Sequence, residues 1–545
     1  MTSHQTPPAV RQTSHAGPAR AGRKEWTGLA VLLLPLLLVS MDVSVLYFAV
    51  PFIARDLEPT STQQLWIFDI YGFVLAGLLI TMGSLGDRIG RRRLLLIGAV
   101  TFSLASLGAA YAQTAGQLIA ARAVLGIAGA TLMPSTLALI RNMFHDEKQR
   151  RTAVAIWTGG TMSGIALGPV ISGVLLNHFW WGSVFLINIP FMILLLILGP
   201  VLVPEFRAPQ AGRFDLISSV LSLGAVLPVI YGIKEIAAGG LTLARALWIV
   251  AGLAVGAAFV VRQARSPAPM IDLTLFRSRG FTGSVAMNLV AMFALVGFAI
   301  FATQYLQSVL GMSPLTAALW SLVPMAGTAT AAPLAQMLAG RIDRAYLAAG
   351  GFLVAAAGFA GLTQLRPHSP IVFLLICAAI YAGGIVAVMT VGNELILGAV
   401  PPERAGAAAA VVETATELGA ALGIAVLGSV GVAAYRSQLA ASAPAGIPPA
   451  DLAVARDTLG GALTVAGQLP GRLGTGLLEA ARTAFTHGLN SAALGAAIVM
   501  VLASVASAVF FRGVRVESPP VAAAELPSGA DKELPSGADK ELAAR

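Results

Sequence analysis

A chain of 545 residues could form several soluble domains, but 57% of its residues are hydrophobic and only 11% are charged, against about 25% charged in a typical soluble domain. Too little polar surface remains to cover that many cores, so the chain is read as a polytopic α-helical membrane protein. The net charge of +9 does not point to nucleic acid, because the basic residues sit mostly in short loops between apolar runs, where they act as topology signals. The single cysteine, Cys377, lies in an apolar run; it allows no intramolecular disulfide and reads as a small buried hydrophobe.

In chain order, a polar tail (1–26) precedes a first apolar run that is long enough to cross a bilayer, so it reads as a retained helix and not a cleaved leader. Such a crossing needs about 20 mostly apolar residues. Runs of that kind centre on 27–50, 65–84, 94–111, 117–140, 152–176, 183–203, 214–236, 246–262, 283–308, 316–338, 345–365, 370–398, 406–434 and 490–511. That predicts an all-α protein with fourteen spans. The loop after span 2 carries Arg88, Arg91, Arg92 and Arg93, and the loop after span 4 carries Arg141, Lys148, Arg150 and Arg151. The loops after spans 8 and 10 are also basic, whereas those after spans 3, 5 and 9 have no Lys or Arg. This alternation predicts that both termini are cytoplasmic in a cell-membrane protein.

Internal likeness predicts two parallel halves. Gly83–Arg93 has a weaker echo at Gly340–Ala345, and Gly164-Ile-Ala-Leu-Gly168 in span 5 matches Gly419-Ala-Ala-Leu-Gly423 in span 13. Residues 27–203 and 271–512 then form two six-helix bundles, with spans 7 and 8 (204–270) inserted between them. Residues 435–489 form a long extracellular loop, turn-rich at first and amphipathic later. The tail 513–545 holds a tandem repeat, Glu525–Lys532 and Glu533–Lys540, and its polar, turn-forming composition predicts disorder.

Four acids fall inside apolar runs: Asp42 in span 1, Asp69 in span 2, and Glu413 and Glu417 in span 13. The last two are four residues apart and share a helix face. Burial disfavours a charged carboxylate, so such a group can exchange a proton for an arriving cation, which is the physical basis of cation/proton antiport. A satisfied structural acid is the alternative for each. Arg122, inside span 4, is costly in lipid and should face a cavity or a partner; proton coupling and a purely structural bond to span 1 both remain open. Lys234-Glu235 reads as an interfacial pair at the end of span 7, and Asp215 as its cap. Trp66, Tyr71, Trp157, Phe301, Tyr305 and Trp320 are possible cation–π contacts for a lipophilic cation, or packing residues. No Walker A loop, metal-ligand set or catalytic nucleophile appears, so neither an enzyme nor a self-contained ATP-driven pump is expected.

The loop residues Gly83, Gly86, Asp87, Arg88, Gly90 and Arg91 resemble motif A of the major facilitator superfamily. Gly164, Gly168, Pro169 and Gly173 resemble its antiporter motif C, and the segment around Arg122 resembles motif B, whose arginine is thought to take part in proton coupling. With Gln64–Gly77, Leu125–Ala130 and Phe185–Pro190, the chain is similar along 27–512 to the fourteen-helix drug:proton antiporters, of the type that exports quaternary ammonium compounds and viologens. The resemblance implies a major facilitator fold driven by the proton motive force without a cofactor. It implies organic cations and protons as ligands, and Asp42 and Glu413 as the foremost sites, with Asp69, Glu417 and Arg122 beside them. QacA-type members carry a further acid in span 10 and paired glutamates in span 13; here Pro324–Pro333 has no acid and Val412 precedes Glu413. That departure predicts mainly monovalent cargo. A monomer is expected. A dedicated exporter of one metabolite or self-made antibiotic is the alternative within transporters, and a non-transporting sensor or envelope-assembly partner the alternative outside them.

Overall fold

The computed structural model describes residues 21–207, 215–266, 269, 271, 273–339, 341–399 and 405–511. The tandem-repeat tail and most of the N-terminal tail lie outside the described residues. Fourteen helical stretches among the described residues are long and apolar enough to cross a bilayer, and there is no strand. Lipid offers no hydrogen bonds to a free backbone, so each crossing segment satisfies its own peptide groups as a helix.

The helices in chain order are α1 (Arg23–Leu57), α2 (Ser61–Ile89), α3 (Arg91–Ala110), α4 (Ala115–Met143), α5 (Glu147–His178), α6 (Ser183–Leu186) and α7 (Asn188–Leu202). The next are α8 (Leu216–Gly239), α9 (Leu243–Arg265) and α10 (Arg279–Gln304), which ends in a π turn at Tyr305–Val309. Then come α11 (Pro314–Ser321), α12 (Val323–Ala339), α13 (Arg344–Leu362), α14 (Ile371–Ala399), α15 (Ala405–Ser442), α16 (Pro449–Asp457), α17 (Leu459–Gln468) and α18 (Gly471–Phe510). Most crossing helices open on a side chain that satisfies an orphan backbone N–H. Thr60, Thr114, Asp146, Asp215, Thr242, Ser278, Ser313 and Asp343 all serve this way.

Spans 13 and 14 are longer than their apolar runs. Helix α15 continues to Ser442, and α18 has 40 residues, about 60 Å at the α-helical rise, roughly twice the hydrocarbon thickness. The amphipathic stretch expected in the 435–489 loop is therefore partly the outer half of α18, and only α16 and α17 lie between the two long helices.

The packing repeats itself. Helix α1 packs on α5 and α7, α2 on α4, and α3 on α4 and α7; correspondingly α10 packs on α15 and α18, α12 on α14, and α13 on α14 and α18. One continuous buried core runs through both sets. Call the end that carries Arg91–Arg93 the arginine-rich end. The two sets meet toward the opposite end, where α5 packs on α11, Leu65 of α2 lies under Gly428 of α15, and Ala54 of α1 lies under Gly460 of α17. Toward the arginine-rich end α5 is open. Ala155, Ile156, Thr158 and Gly159 are exposed along one face of the helix, spanning an arc of about 160°.

Helices α8 and α9 form a hairpin. Gly252 brings them together so closely that a Cβ there would lie 2.7 Å from the Ala225 carbonyl. Helix α8 then docks on α2 and α15, helped by the paired hydroxyls of Thr81 and Ser219 and by the Ser222 hydroxyl donating to the Gly77 carbonyl. At its start, Asp215 accepts from the Ser218 backbone and hydroxyl and from Arg262 of α9. Partial desolvation alone would raise this carboxyl, but the Ser218 and Arg262 contacts outweigh it and hold the pKa below the ordinary carboxylate value.

Candidate functional site

The first cluster joins three helices. Asp42 of α1 is buried and ion-paired with Arg122 of α4, itself 1% exposed. The Arg122 Nε donates to the Ile67 carbonyl of α2 at 3.1 Å, and its guanidinium lies 4.7 Å from the centre of the Tyr71 ring. The Tyr71 hydroxyl donates to the Val39 carbonyl at 3.4 Å. One arginine thus reads the charge of α1 while holding α2. Leaving such a charge buried and unpaired typically costs about 3–5 kcal/mol, so a proton on Asp42 would strongly disturb all three helices.

The second cluster was only half visible in the sequence. Asp69 of α2 is buried against Lys234 of α8, with both carboxylate oxygens within 2.8 Å of Nζ. The Lys234 ammonium also lies 3.8 Å from the centre of the Trp66 ring. The expected Lys234-Glu235 interfacial pair is therefore corrected: Lys234 is fully buried, and Glu235 instead approaches Arg245 of α9 at 3.9 Å. The missed signal was the lysine itself, because an ionisable group inside an apolar run is a functional candidate by default.

The third cluster is on α15. Glu413 and Glu417 sit one turn apart and half-buried, and among the described residues neither has an ion-pair partner. Beside Tyr71, a Cβ at Gly72 would lie 3.3 Å from Ala421 of α15, one turn beyond Glu417, so α2 meets the acid-bearing helix here. The Tyr47 hydroxyl is buried and, among the described residues, has no hydrogen-bond partner.

The motif A loop is a bracket. Asp87 accepts from the Arg91 Nε at 2.8 Å, and Arg91 reaches the Pro134 carbonyl of α4 at 3.5 Å. Gly83 and Gly86 lie alongside, with a Cβ on Gly86 only 3.0 Å from the Arg91 side chain. Arg88 closes the last turn of α2. Gly90 has φ of +114°, a conformation that favours glycine, and it leaves α3 without a side chain to cap it. Glu205, beyond α7, does that work: its carboxylate accepts from the backbone N–H groups of Arg92 (3.0 Å) and Arg93 (3.2 Å). Arg92 in turn donates to the Pro200 and Val203 carbonyls at the end of α7.

The motif C glycines are approach points. A Cβ at Gly164 would lie 2.7 Å from the Leu37 carbonyl, and one at Gly168 would strike the Ser44 hydroxyl at 2.0 Å, so this face of α5 presses on α1. Gly173, past Pro169, presses instead on Leu315 of α11. The α15 pair repeats the arrangement: Gly419 and Gly423 press on the Leu289 and Phe293 carbonyls of α10.

Of the six aromatics, Trp66 and Tyr71 stand over the protein's own cations. The Trp157 indole donates to Thr136 of α4 at 3.2 Å. Phe301 packs with Phe485 at the edge of a cavity of about 40 Å³ at the closed end, room for a few waters but not for an organic cation. The Tyr305 hydroxyl donates to the Arg366 carbonyl at 2.6 Å, and Trp320 is exposed. The structure does not bring Phe301 or Tyr305 to the acids.

Residues 32–424 match the family model of the Major Facilitator Superfamily. The chain is 45% identical to the multidrug efflux pump LfrA of Mycolicibacterium smegmatis, over 90% of this chain and 97% of the relative. It is 37% identical to the methyl viologen resistance protein SmvA of Salmonella typhimurium (88% and 96%) and 30% identical to a tetracenomycin C resistance and export protein of Streptomyces glaucescens (92% and 94%). Among solved structures, a bacterial homologue of the human lysosomal transporter Spinster, inward-facing and unoccupied, has the same fold with a TM-score of 0.64 at 16% identity, over 90% of this chain and 98% of that one. A family model matched over most of the chain and relatives aligned along nearly all of it give one conclusion: this protein belongs to the Major Facilitator Superfamily.

Proposed function

We propose that this chain is a proton-coupled multidrug efflux antiporter of the cytoplasmic membrane, carrying lipophilic, mainly monovalent organic cations such as quaternary ammonium compounds and dyes. The carrying observation is the distribution of charge. Asp42 and Asp69 are already paired with Arg122 and Lys234, while Glu413 and Glu417 have no ion-pair partner among the described residues. A cargo cation enters from the arginine-rich end, taken as cytoplasmic, and neutralises the α15 acids. After the opposite end opens, a proton displaces it, because a proton and a cation compete for the same carboxylate. A proton on Asp42 releases Arg122, which also holds α2 through the Ile67 carbonyl and the Tyr71 ring, and α2 in turn packs on α15 of the other set, so the proton load is linked to the contact between halves. The halves are 27–203 and 271–512, with 204–270 as an insert, and the unit is a monomer driven by the proton motive force without a cofactor.

The relatives named for multidrug efflux and methyl viologen resistance support export of organic cations; methyl viologen is itself a dication, so the monovalent preference rests on the missing span-10 acid and not on these relatives. The relative named for tetracenomycin C favours a second reading, a dedicated exporter of one compound; export of structurally unrelated dyes would exclude it. The test is ethidium efflux with and without a pH gradient in wild type, Asp42→Asn and Glu413→Gln. Gradient-dependent efflux that both substitutions abolish is expected, and normal transport by both variants would overturn the site.

A further inference from the structure

We propose that Lys234 is a specificity-determining residue: a tethered ammonium that fills a built cation site formed by Asp69 and Trp66, and so limits the transporter to one cargo charge. This rests on the export reading above. The site has both elements of ammonium recognition, a carboxylate within 2.8 Å and an aromatic face 3.8 Å away. Its occupant comes from α8 of the hairpin, while the site itself lies on α2. It is seated where α2, α8 and α15 meet, beside Phe73, Ile230 and Ala421.

A dication in a low-dielectric cavity needs a counter-charge for each of its charges. Glu413 and Glu417 share one face of α15 and can serve one end of an extended dication. On the α1–α2 side both carboxylates are taken. Arg122 is anchored by the Ile67 carbonyl as well as by Asp42. Among the described residues the Lys234 ammonium has only Asp69 and the Trp66 ring. Removing Lys234 therefore frees one carboxylate and leaves the Asp42–Arg122 pair in place.

The test uses the full chain in everted vesicles with a pH gradient, with ethidium as the monocation and dequalinium as the dication. Lys234→Met, of similar length and apolar, should raise the ratio of dequalinium to ethidium export by about tenfold, equivalent to about 1.4 kcal/mol. Adding Asp69→Asn should return the ratio to the wild-type value, since the site then holds no charge. Lys234→Gln removes the charge while keeping a hydrogen bond to Asp69, and should shift the ratio in the same direction. An unchanged ratio in whichever single variant reaches the membrane overturns the proposal. So does a double variant that keeps the gain. Loss of both single variants from the membrane makes Lys234 a folding residue and also overturns it. If wild type exports no ethidium at all, the export reading has failed instead.

Discussion

Replacing Asp42 with asparagine removes one charge from a pair in which both side chains are at most 3% exposed. The Arg122 guanidinium would keep the Ile67 carbonyl and the Tyr71 face, plus whatever the asparagine carbonyl offers, but no neutralising charge. A broken buried pair costs about 3–5 kcal/mol, whereas replacing both partners with apolar groups is often neutral. The retained hydrogen bonds place Asp42→Asn near the lower end, at about 3 kcal/mol. Arg122→Met should cost a similar amount, because it strands Asp42. The double variant should recover most of the loss, so that the coupling in the cycle exceeds about 2 kcal/mol. Thermal or denaturant melts of the purified protein measure this, and ethidium efflux against a pH gradient is followed in parallel. The double variant is expected to be stable yet to have lost its pH-gradient dependence. Additive destabilisation would refute the pairing, and gradient-driven efflux by the double variant would refute its part in coupling.

Two further outcomes follow from local geometry. Gly423→Ala places a methyl 2.0 Å from the Phe293 carbonyl, a backbone atom that cannot rotate away; it should cost about 1–3 kcal/mol, whereas Gly108→Ala, with nothing within 4 Å, should be neutral or stabilising by up to about 1 kcal/mol. Folded yield and melting temperature compare the two. Asp215 has a lowered pKa in the folded protein, so its contribution to docking the α8–α9 hairpin is complete above the unfolded carboxylate value near 3.9 and is lost as pH falls through the lower folded value. The stability gap between wild type and Asp215→Asn should accordingly be constant near neutrality and shrink at acid pH, and a gap that widens with acid would contradict the assignment.

The fourteen spans were legible because hydrophobic length and loop charge are local properties, written within some twenty residues each. The motif A glycines were legible for the same reason, since Gly90 and Asp87 act on their own turn. What the sequence hid is long-range. Asp42 and Arg122 are eighty positions apart, and nothing in either segment names the other. Lys234 stands near the end of an apolar run, where a lysine ordinarily reaches toward the interface; only the seat of α8 on α2 turns it inward. Glu205 looks like an ordinary loop acid until the missing cap at Gly90 is set beside it. The outer half of α18 was read as loop because its amphipathic pattern, away from lipid, no longer resembles a span.

That long helix has a mechanical side. Its inner half is tied to α13, where the Ser504 hydroxyl donates to the Ala349 carbonyl, and its outer half packs on α15 at Gly431 and on α17 at Ala466. Over an arm of about 30 Å for the outer half, each degree of tilt displaces the outer tip by about 0.5 Å. Thr475 and Glu479 are exposed on that tip. A spin label or fluorophore attached there would work as a pointer on a dial, reporting the inclination of the second bundle during turnover without touching the cargo path.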